Sequence, residues 1–401
     1  MLQLSFVNYK SGAYLTIEGK AEDRFFIIQQ GQVRCERRDA SPEAGFTTLG
    51  PGDFVGVVAC MAGMSQIENS VAVTDVTAIA VRRDQYPDLI RQNTPIAMKI
   101  IRTFAARMRN VNELLMFSTA STVAKDTTEQ IFRSAQFYDA ADKKDIAIFG
   151  YYQYLKTASS GENAETAKQR FLALKPKSHA VYFESNADML RTYPQDTMIF
   201  SEAQSGAEMF IIQSGQVKIG KIVGGNEVTF AILKKGDMFG EMALLENKPR
   251  SASAIANEDC TLMVVNKHTF EQMVTTQPQM IARLTTTLAE RLWSMSRQLI
   301  NVRIEDPIQR MLDMLALQVE KAKLPPHFEQ DYRTGLSVED VADMCGLSEE
   351  EKARYIYVFK QDSHIKMDYQ DGTGGKIIVS DCEELIKHAA FSRNKLFREN
   401  A

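Results

Sequence analysis

The chain has 401 residues, of which 44% are hydrophobic and 24% charged, which is ordinary for a globular protein of about three domains. Its formal net charge of −4 gives no overall attraction to DNA or to an anionic membrane. The opening MLQLSFVNYK lacks the apolar core of a signal peptide, and no apolar run is long enough to span a bilayer. We therefore expect a cytoplasmic protein that does not associate with membranes.

The cysteines are odd in number and scattered, without CxxC spacing. This pattern predicts neither a disulfide framework nor a zinc or iron–sulfur site, and no metal is expected. We expect them to be small core residues. They are Cys35, Cys60, Cys260, Cys345 and Cys382.

An internal repeat organises most of the chain. The segment FIIQQGQV at residues 26–33 recurs as FIIQSGQV at 210–217, and GDFVG at 52–56 recurs as GDMFG at 236–240. Both pairs have the same separation in sequence, since 215 − 31 equals 240 − 56, and we call this separation the repeat offset. In both copies short β-rich runs separated by Gly and Asp precede an amphipathic helix, so we predict two small antiparallel barrels or jelly rolls, each with a packed helix.

The segment between the copies predicts a helical connector of three helices. Within SAQFYDAADKKDIAIFGYYQYLK the small and aromatic residues fall where a tetratricopeptide repeat places its packing residues, and the resemblance covers one helical hairpin only. Such units need stacked neighbours to bury their faces, so we interpret this one as a packed spacer and not a peptide-binding array. The packing residues are Ala135, Tyr138, Ala147, Tyr151 and Tyr154.

The second copy contains the stretch FGEMALLENKPRSASAIA at residues 239–256. Gly240 lets a phosphate approach the backbone, and the N–H groups of the turn that follows can point at it. Arg250 adds a planar cation that can form two bonds to phosphate oxygens. Glu241 would repel a phosphate, so it makes sense as an acceptor for sugar hydroxyls. The alternative is a glycine turn with a surface ion pair.

These residues resemble the phosphate-binding cassette of cyclic-nucleotide-binding domains, found in the catabolite activator protein, kinase regulatory subunits and ligand-gated channels. The resemblance implies a cyclic mononucleotide ligand, cAMP in preference to cGMP, although a hydroxyl at Ser251 occurs with either purine. It also implies two contacts from the following helix, Arg291 near the phosphate and Ser296 reaching the purine from an opposite subunit. The predicted ligand residues are Gly240, Glu241, Met242, Ala243, Arg250, Ser251, Ser253, Arg291 and Ser296.

The first copy has lost this chemistry. At the same offset Glu241 becomes Val57 and Arg250 becomes Gln66, and the neighbouring positions hold Ser65 and Asn69. Losing two charge-assisted contacts of about 1.5 to 3 kcal/mol each removes most of the affinity for a nucleotide. We interpret this copy as structural or dimerising, and the alternative is a less anionic ligand.

The helix of the second copy carries a heptad seam that predicts a partner helix and hence a homodimer. Trp293 lies beside the seam, where it either stacks on the base or packs in the core. The seam residues are Leu288, Leu292, Met295, Leu299 and Val302.

The C-terminal part resembles the winged helix-turn-helix of regulators of the catabolite activator class, which are also called Crp/Fnr regulators. Asp306-Pro307 begins a helix, and residues 336–348 predict a helix, a tight turn and the Ser cap of a second helix. Residues 365–369 and 376–379 predict the wing. By resemblance Ser348 contacts a DNA phosphate while Glu350 and Arg354 read bases.

The net charge of the C-terminal part does not decide whether it binds DNA or protein. From Asp331 to Ala401 there are 10 Lys and Arg against 14 Asp and Glu. DNA affinity depends on neutralising phosphates, so an acidic domain starts at a disadvantage. Two functions result: a cyclic-nucleotide-responsive transcription regulator that binds double-stranded DNA, or a scaffold whose acidic winged helix binds proteins. The five histidines form no nucleophile or metal constellation, so we expect no enzyme.

The predicted fold class is α+β and multidomain, with two jelly-roll, cupin-like barrels. Four domains are predicted: a degenerate cyclic-nucleotide-binding-like domain at 1–120, a helical connector at 121–178, a cyclic-nucleotide-binding domain with its dimerisation helix at 179–303, and a winged helix-turn-helix at 304–401.

Overall fold

A computed structural model describes residues 4–37, 46–119, 127–180, 189–223, 226–325, 328, 330–369 and 375–399. Two predicted turns fall in the gaps, Gly224-Gly225 and Asp371 to Gly374 of the wing, and they lie outside the described residues.

The first copy consists of two four-stranded antiparallel sheets followed by helices. One sheet has the order β1-β8-β3-β6 and the other β2-β7-β4-β5. Alternating strand residues point between the sheets and form a core around Phe26, Ile28 and Val33. The strands are β1 Ser5–Tyr9, β2 Tyr14–Thr16, β3 Arg24–Gln30, β4 Val33–Arg37, β5 Thr47–Leu49, β6 Phe54–Val55, β7 Glu68–Ala72 and β8 Val76–Arg82. The helices are α1 Val57–Ala62, α2 Tyr86–Gln92 and α3 Thr94–Thr119.

The connector forms three helices, as predicted: α4 Thr127–Ala140, α5 Lys144–Thr157 and α6 Ala164–Leu174. All five residues of the tetratricopeptide-like pattern are buried. Their cluster also includes Met198, Ala203 and Ile255 of the second copy, so the hairpin packs on that copy and its aromatic face is core.

The second copy repeats the first with the same register. Phe26 pairs with Ala80 in the first copy, and Phe210 pairs with Val264 in the second, so both partners are shifted by the repeat offset. The sheet orders are β10-β15-β12-β13 and β14-β11-β16-β9. The strands are β9 Leu190–Tyr193, β10 Met198–Phe200, β11 Glu208–Ser214, β12 Val217–Val223, β13 Asn226–Leu233, β14 Met238–Phe239, β15 Ser253–Ala256 and β16 Cys260–Asn266. The helices are α7 Glu241–Glu246, α8 Lys267–Thr276 and α9 Pro278–Asn301.

The C-terminal part has the element order expected from its caps and turns. Asp306 accepts hydrogen bonds from the N–H groups of Ile308 and Gln309 and so begins the next helix. Gly346, at φ +68°, turns the chain between two short helices. A three-stranded antiparallel sheet of order β17-β19-β18 accompanies them. The elements are α10 Pro307–Lys321, β17 Tyr332–Arg333, α11 Val338–Met344, α12 Glu349–Phe359, β18 Ile365–Asp368, β19 Lys376–Val379 and α13 Cys382–Glu399.

The chain groups into two compact units that divide α3 and α9. One contains Met1–Tyr86, Val111–Thr119 and Ala289–Ala401, and the other contains Pro87–Asn110 and Ala120–Leu288. The sheets of the first copy therefore share a unit with the end of α9, and the sheets of the second copy share a unit with the start of α3.

The five cysteines are free thiols and buried, as expected for core residues. Within the residues that the structure describes, no helix is long and apolar enough to cross a membrane.

Candidate functional site

Arg250 lies inside the second copy, where only 6% of it is exposed. Its guanidinium carbon stands 4.1 Å from the centre of the Phe200 ring and 5.9 Å from that of Phe210. The Nη1 group donates a hydrogen bond of 2.7 Å to the carbonyl of Gly240. The negative faces of the rings attract the cation and help to hold it beside Gly240.

Two glycines make room for this guanidinium. A Cβ added to Gly240, which has a left-handed φ of +78°, would lie 2.7 Å from Nη1 of Arg250. A Cβ added to Gly206, in the loop between β10 and β11, would lie 2.5 Å from both Nε and Nη2. Sequence reasoning found Gly240 through its motif but missed Gly206, because a lone glycine in a loop gives no signal.

The electrostatics of Arg250 favour a bound anion. Burial lowers its pKa to about 10, while Glu208, Glu241 and Tyr193 act to raise it, so the side chain stays charged at neutral pH. Its Nε is buried and has no hydrogen-bond partner among the described residues. A buried donor on a cation costs free energy until an acceptor reaches it.

The other cassette residues surround Arg250. Glu241 is 1% exposed and begins α7, next to Gly240. Met242 and Ala243 are buried on the same helix, and their side chains pack in the core. Seven of the nine predicted ligand residues are thus in one segment, 240–253, around a single buried cation.

The two cassette serines have neighbours of their own. Ser251 Oγ lies 3.7 Å from Sδ of Met242. Ser253 Oγ accepts a hydrogen bond of 2.8 Å from the backbone N–H of Glu202. The Glu202 carboxylate in turn pairs at 2.6 Å with Lys221, a nearly buried ion pair that the sequence did not reveal. Ser253 therefore fixes the loop that carries Gly206.

The remaining two predicted ligand residues, Arg291 and Ser296, lie on α9 beyond Leu288. They belong to the compact unit that contains the sheets of the first copy, not to the unit that contains the cassette. Ser296 is fully buried there.

The first copy keeps the backbone of the cassette without its charges. Gly56 and Gly63 have φ of +71° and +69° at either end of α1, like Gly240 and Asn247 around α7. The amide Nε2 of Gln66 lies 3.0 Å from the position of a Cβ on Gly56. A neutral amide therefore occupies the place that the guanidinium has in the second copy.

Arg109, on α3, is a cassette neighbour that sequence reasoning missed. Its Nε forms an ion pair with Glu246, at the end of α7, and its Nη1 donates at 3.3 Å to the carbonyl of Pro249. The pair is 13% and 9% exposed on its two side chains. The two partners are far apart along the chain, so only the tertiary structure brings them together.

The predicted DNA-contacting residues lie together on α12. Ser348 caps the helix, its Oγ accepting from the N–H of Glu351 at 3.3 Å. Arg354 and Glu350, one turn apart, form an exposed ion pair of 2.8 Å. Lys352 is bound by Asp343 and Glu349 at 2.5 Å each. The predicted base-reading groups therefore share one exposed face and neutralise each other.

Comparison with known families identifies the repeated unit. The model of the cyclic nucleotide-binding domain matches residues 6–93 and 190–277, two ranges separated by the repeat offset. The chain carries two cyclic nucleotide-binding domains. The second domain holds the cassette around Arg250, and the first holds the uncharged counterpart around Gln66.

Known proteins resemble the chain over about half its length. The cyclic AMP receptor protein of Thermus thermophilus is 29% identical over 178 residues, which cover 44% of this chain and 79% of that protein. The CRP-like cAMP-activated global transcriptional regulator of Mycobacterium tuberculosis is 24% identical over 198 residues, which cover 49% of this chain and 86% of that protein. A crystal structure of the Thermus thermophilus catabolite activator protein matches with 26% identity and a TM-score of 0.28, over 51% of this chain and 90% of that one.

Proposed function

We propose that the protein is a cAMP-responsive regulator of the Crp/Fnr type, which acts by binding and not by catalysis. The observation that carries this proposal is Arg250, a buried cation with an unpartnered Nε beside the carboxylate of Glu241. The similarity to cAMP receptor proteins supports the choice of cAMP over cGMP. Each domain would be a jelly roll, and the protein would work in the cytoplasm.

The site would divide the ligand between two charges. Arg250 donates to the ring phosphate, whose oxygens satisfy the Nε that has no acceptor otherwise. Glu241 accepts from the ribose hydroxyl, which gains a hydrogen bond to an ion. Gly240 lets the phosphate approach the backbone because no Cβ intervenes.

We propose that the first domain binds no nucleotide. Val57 replaces the ribose acceptor and Gln66 replaces the cation, and both side chains are buried in the core. A phosphate placed there would lose its hydration without gaining a charged partner. The first domain is therefore a degenerate copy that keeps the fold.

Calorimetric titration with cAMP and with cGMP tests the ligand. We expect Arg250→Ala to weaken cAMP binding about 10- to 150-fold, the loss of a charge-assisted contact of about 1.5 to 3 kcal/mol. Arg283→Ala, an exposed position on α9, is the matched control and should leave affinity unchanged. If neither nucleotide binds the wild-type protein at millimolar concentration, the proposal is wrong.

We propose that the C-terminal part is a winged helix-turn-helix that cAMP reorients through α9. A buried ion network supports this coupling, because Arg297 of α9 pairs with Asp313 and Glu320 of α10. The ligand can shift this element only if it binds one arrangement of α9 better than the other. Hydrogen exchange of α9 with and without cAMP tests the coupling, and unchanged protection would contradict it.

A protein-binding scaffold is the second candidate, and two observations favour it. The C-terminal part is acidic, and α12 exposes Tyr357 at 73% and Val358 at 53% beside the Glu350–Arg354 pair. DNA retention that falls steeply with salt supports the regulator. No retention of double-stranded DNA at low salt, with or without cAMP, supports the scaffold.

The homodimer expected from the seam of α9 remains a prediction. Leu288, Leu292 and Leu299 are fully buried within the single chain. These three leucines are therefore not available for contact with a second copy of the chain.

A further inference from the structure

Two hydrogen bonds connect helices to cassettes at equivalent positions. In one compact unit Arg109 of α3 donates to the carbonyl of Pro249, in the cassette of the second domain. In the other unit the indole N–H of Trp293, on α9, donates at 2.9 Å to the carbonyl of Ser65, in the cassette of the first domain. The two donors are separated by the repeat offset, and so are the two acceptors, so the two bonds are the same contact made twice.

Each helix therefore contacts the domain that it does not follow. The helix after the first domain lies in the unit with the second domain's sheets, and the end of the helix after the second domain lies in the unit with the first domain's sheets. Reciprocal contacts of this kind, residue i to j and j to i, are what an isologous dimer forms between two identical subunits. In this protein a single chain makes both contacts.

The two contacts differ in charge. Trp293 is buried, and its N–H forms a neutral bond. Arg109 forms an additional ion pair with Glu246, largely shielded from solvent. The cassette with the ligand residues is therefore held by a charged side chain from the helix of the other domain.

The contact also lies next to the ligand residue. Pro249 directly precedes Arg250, and Glu246 ends the helix that Gly240 and Glu241 begin. Arg109 therefore contacts both the end of α7 and the residue just before Arg250, in the segment that leads into β15. A shift of α3 would move the ends of the cassette, and a ligand that orders the cassette would in turn favour one position of α3.

We propose that the first domain serves the second as a partner subunit would: α3 occupies the position of a second subunit's helix, and Arg109 positions the cassette. The protein therefore functions as a monomer. The role of Arg109 in ligand affinity rests on the proposed function. The helix exchange, in which each helix contacts the domain that it does not follow, does not rest on it.

Chemical crosslinking tests the exchange. Arg109→Cys and Glu246→Cys are combined in one chain and bridged with a short bismaleimide at low protein concentration. We expect an intrachain bridge at the mass of one chain, 45.1 kDa. Lys99→Cys with Glu246→Cys is the matched control, since Lys99 is exposed and lies about 15 Å from Arg109 along α3, and it should not be bridged.

The native thiols should not interfere in this experiment. All five are buried, and burial raises the pKa of Cys60 to about 12. A thiol reacts as its thiolate, so these react slowly. A bridge between two chains, or a native mass of twice 45.1 kDa by light scattering, would overturn the proposal in favour of exchange between subunits.

Titration with cAMP tests the role of Arg109 as a positioning residue. We expect Arg109→Ala to weaken cAMP binding at least about fivefold, the lower end of typical coupling between sites, and Arg102→Ala to leave it unchanged. Glu246→Gln should weaken binding less, and its effect should vanish in the Arg109→Ala background.

A purely structural role predicts a different result. It would lower the melting temperature without changing cAMP affinity, and equal affinities for Arg109→Ala and wild type in folded protein would refute the positioning role. If the wild-type chain binds no nucleotide, the proposed function fails, and the crosslinking result still decides whether the helices are exchanged.

Discussion

The buried ion network between α9, α10 and α13 permits a quantitative prediction about Asp313. This carboxylate is 1% exposed and accepts from Arg297 at 3.5 Å, from Asn301 at 2.9 Å and from Arg393. Burial alone lowers the pKa of Arg297, but Glu320 and Asp313 raise it above its ordinary value, so the guanidinium is charged. Asp313 therefore balances two cations in a site that is largely buried.

The substitution Asp313→Asn preserves the shape of the side chain and removes its charge. Two guanidiniums would then face a single carboxylate, and uncovering one member of a buried ion pair costs about 3 to 5 kcal/mol. The compact unit that contains the network has about 200 residues, for which each kcal/mol corresponds to about 2 to 4 °C. We expect the melting temperature of this unit to fall by about 6 to 20 °C.

The fluorescence of Trp293 makes this prediction measurable. It is the only tryptophan and lies in the same unit as Asp313, so its emission on heating reports the unfolding of that unit. Asp343→Asn is the control, because its carboxylate is exposed and its pair with Lys352 is worth at most about 1 kcal/mol. A melting temperature for Asp313→Asn within about 2 °C of the control would show that the network does not hold α9 to the C-terminal part.

Three further predictions concern the ligand site. Gly206→Ala should weaken cAMP binding by at least about tenfold in a titration, because its Cβ would displace the guanidinium of Arg250. Gly50→Ala is the glycine control and should leave binding unchanged, because its Cβ would meet no atom within 4 Å. Binding of cAMP should weaken as pH rises through about 10, since burial lowers the pKa of Arg250 to that value and only the charged form attracts a phosphate. Constant affinity in titrations between pH 7 and 11 would contradict this prediction. Calorimetry should give one nucleotide per chain, because Val57 and Gln66 supply no charge in the first domain, and a stoichiometry of two would show that the first domain binds.

Local sequence signals were sufficient for most of the fold. The repeat offset predicted two copies, and the structure gives them the same strand register, because identical strand patterns bury the same faces. Caps such as Asp306 and Ser348 were found because a cap depends only on residues within one turn. The cassette was found for the same reason, since its residues are adjacent along the chain.

The parts that the sequence did not reveal depend on packing between distant segments. Arg109 and Glu246 are 137 residues apart, and nothing near either residue marks the other as its partner. The seam of α9 predicted correctly that its leucines would be buried, but periodicity does not distinguish a partner in the same chain from one in another chain. For Trp293 the two alternatives were stacking and packing, and only the fold placed its N–H on Ser65.

The repeat duplicates the sheets and their helices, yet α12, the helix proposed to read DNA, occurs once among the described residues. Symmetric dimers of this class of fold present two such helices and read palindromic operators, one half-site for each. A chain that is complete by itself would instead read a single, asymmetric element, with about half the phosphate contacts and about half the salt dependence. Its target would then have a direction along the genome, and a promoter scan for inverted repeats would miss it.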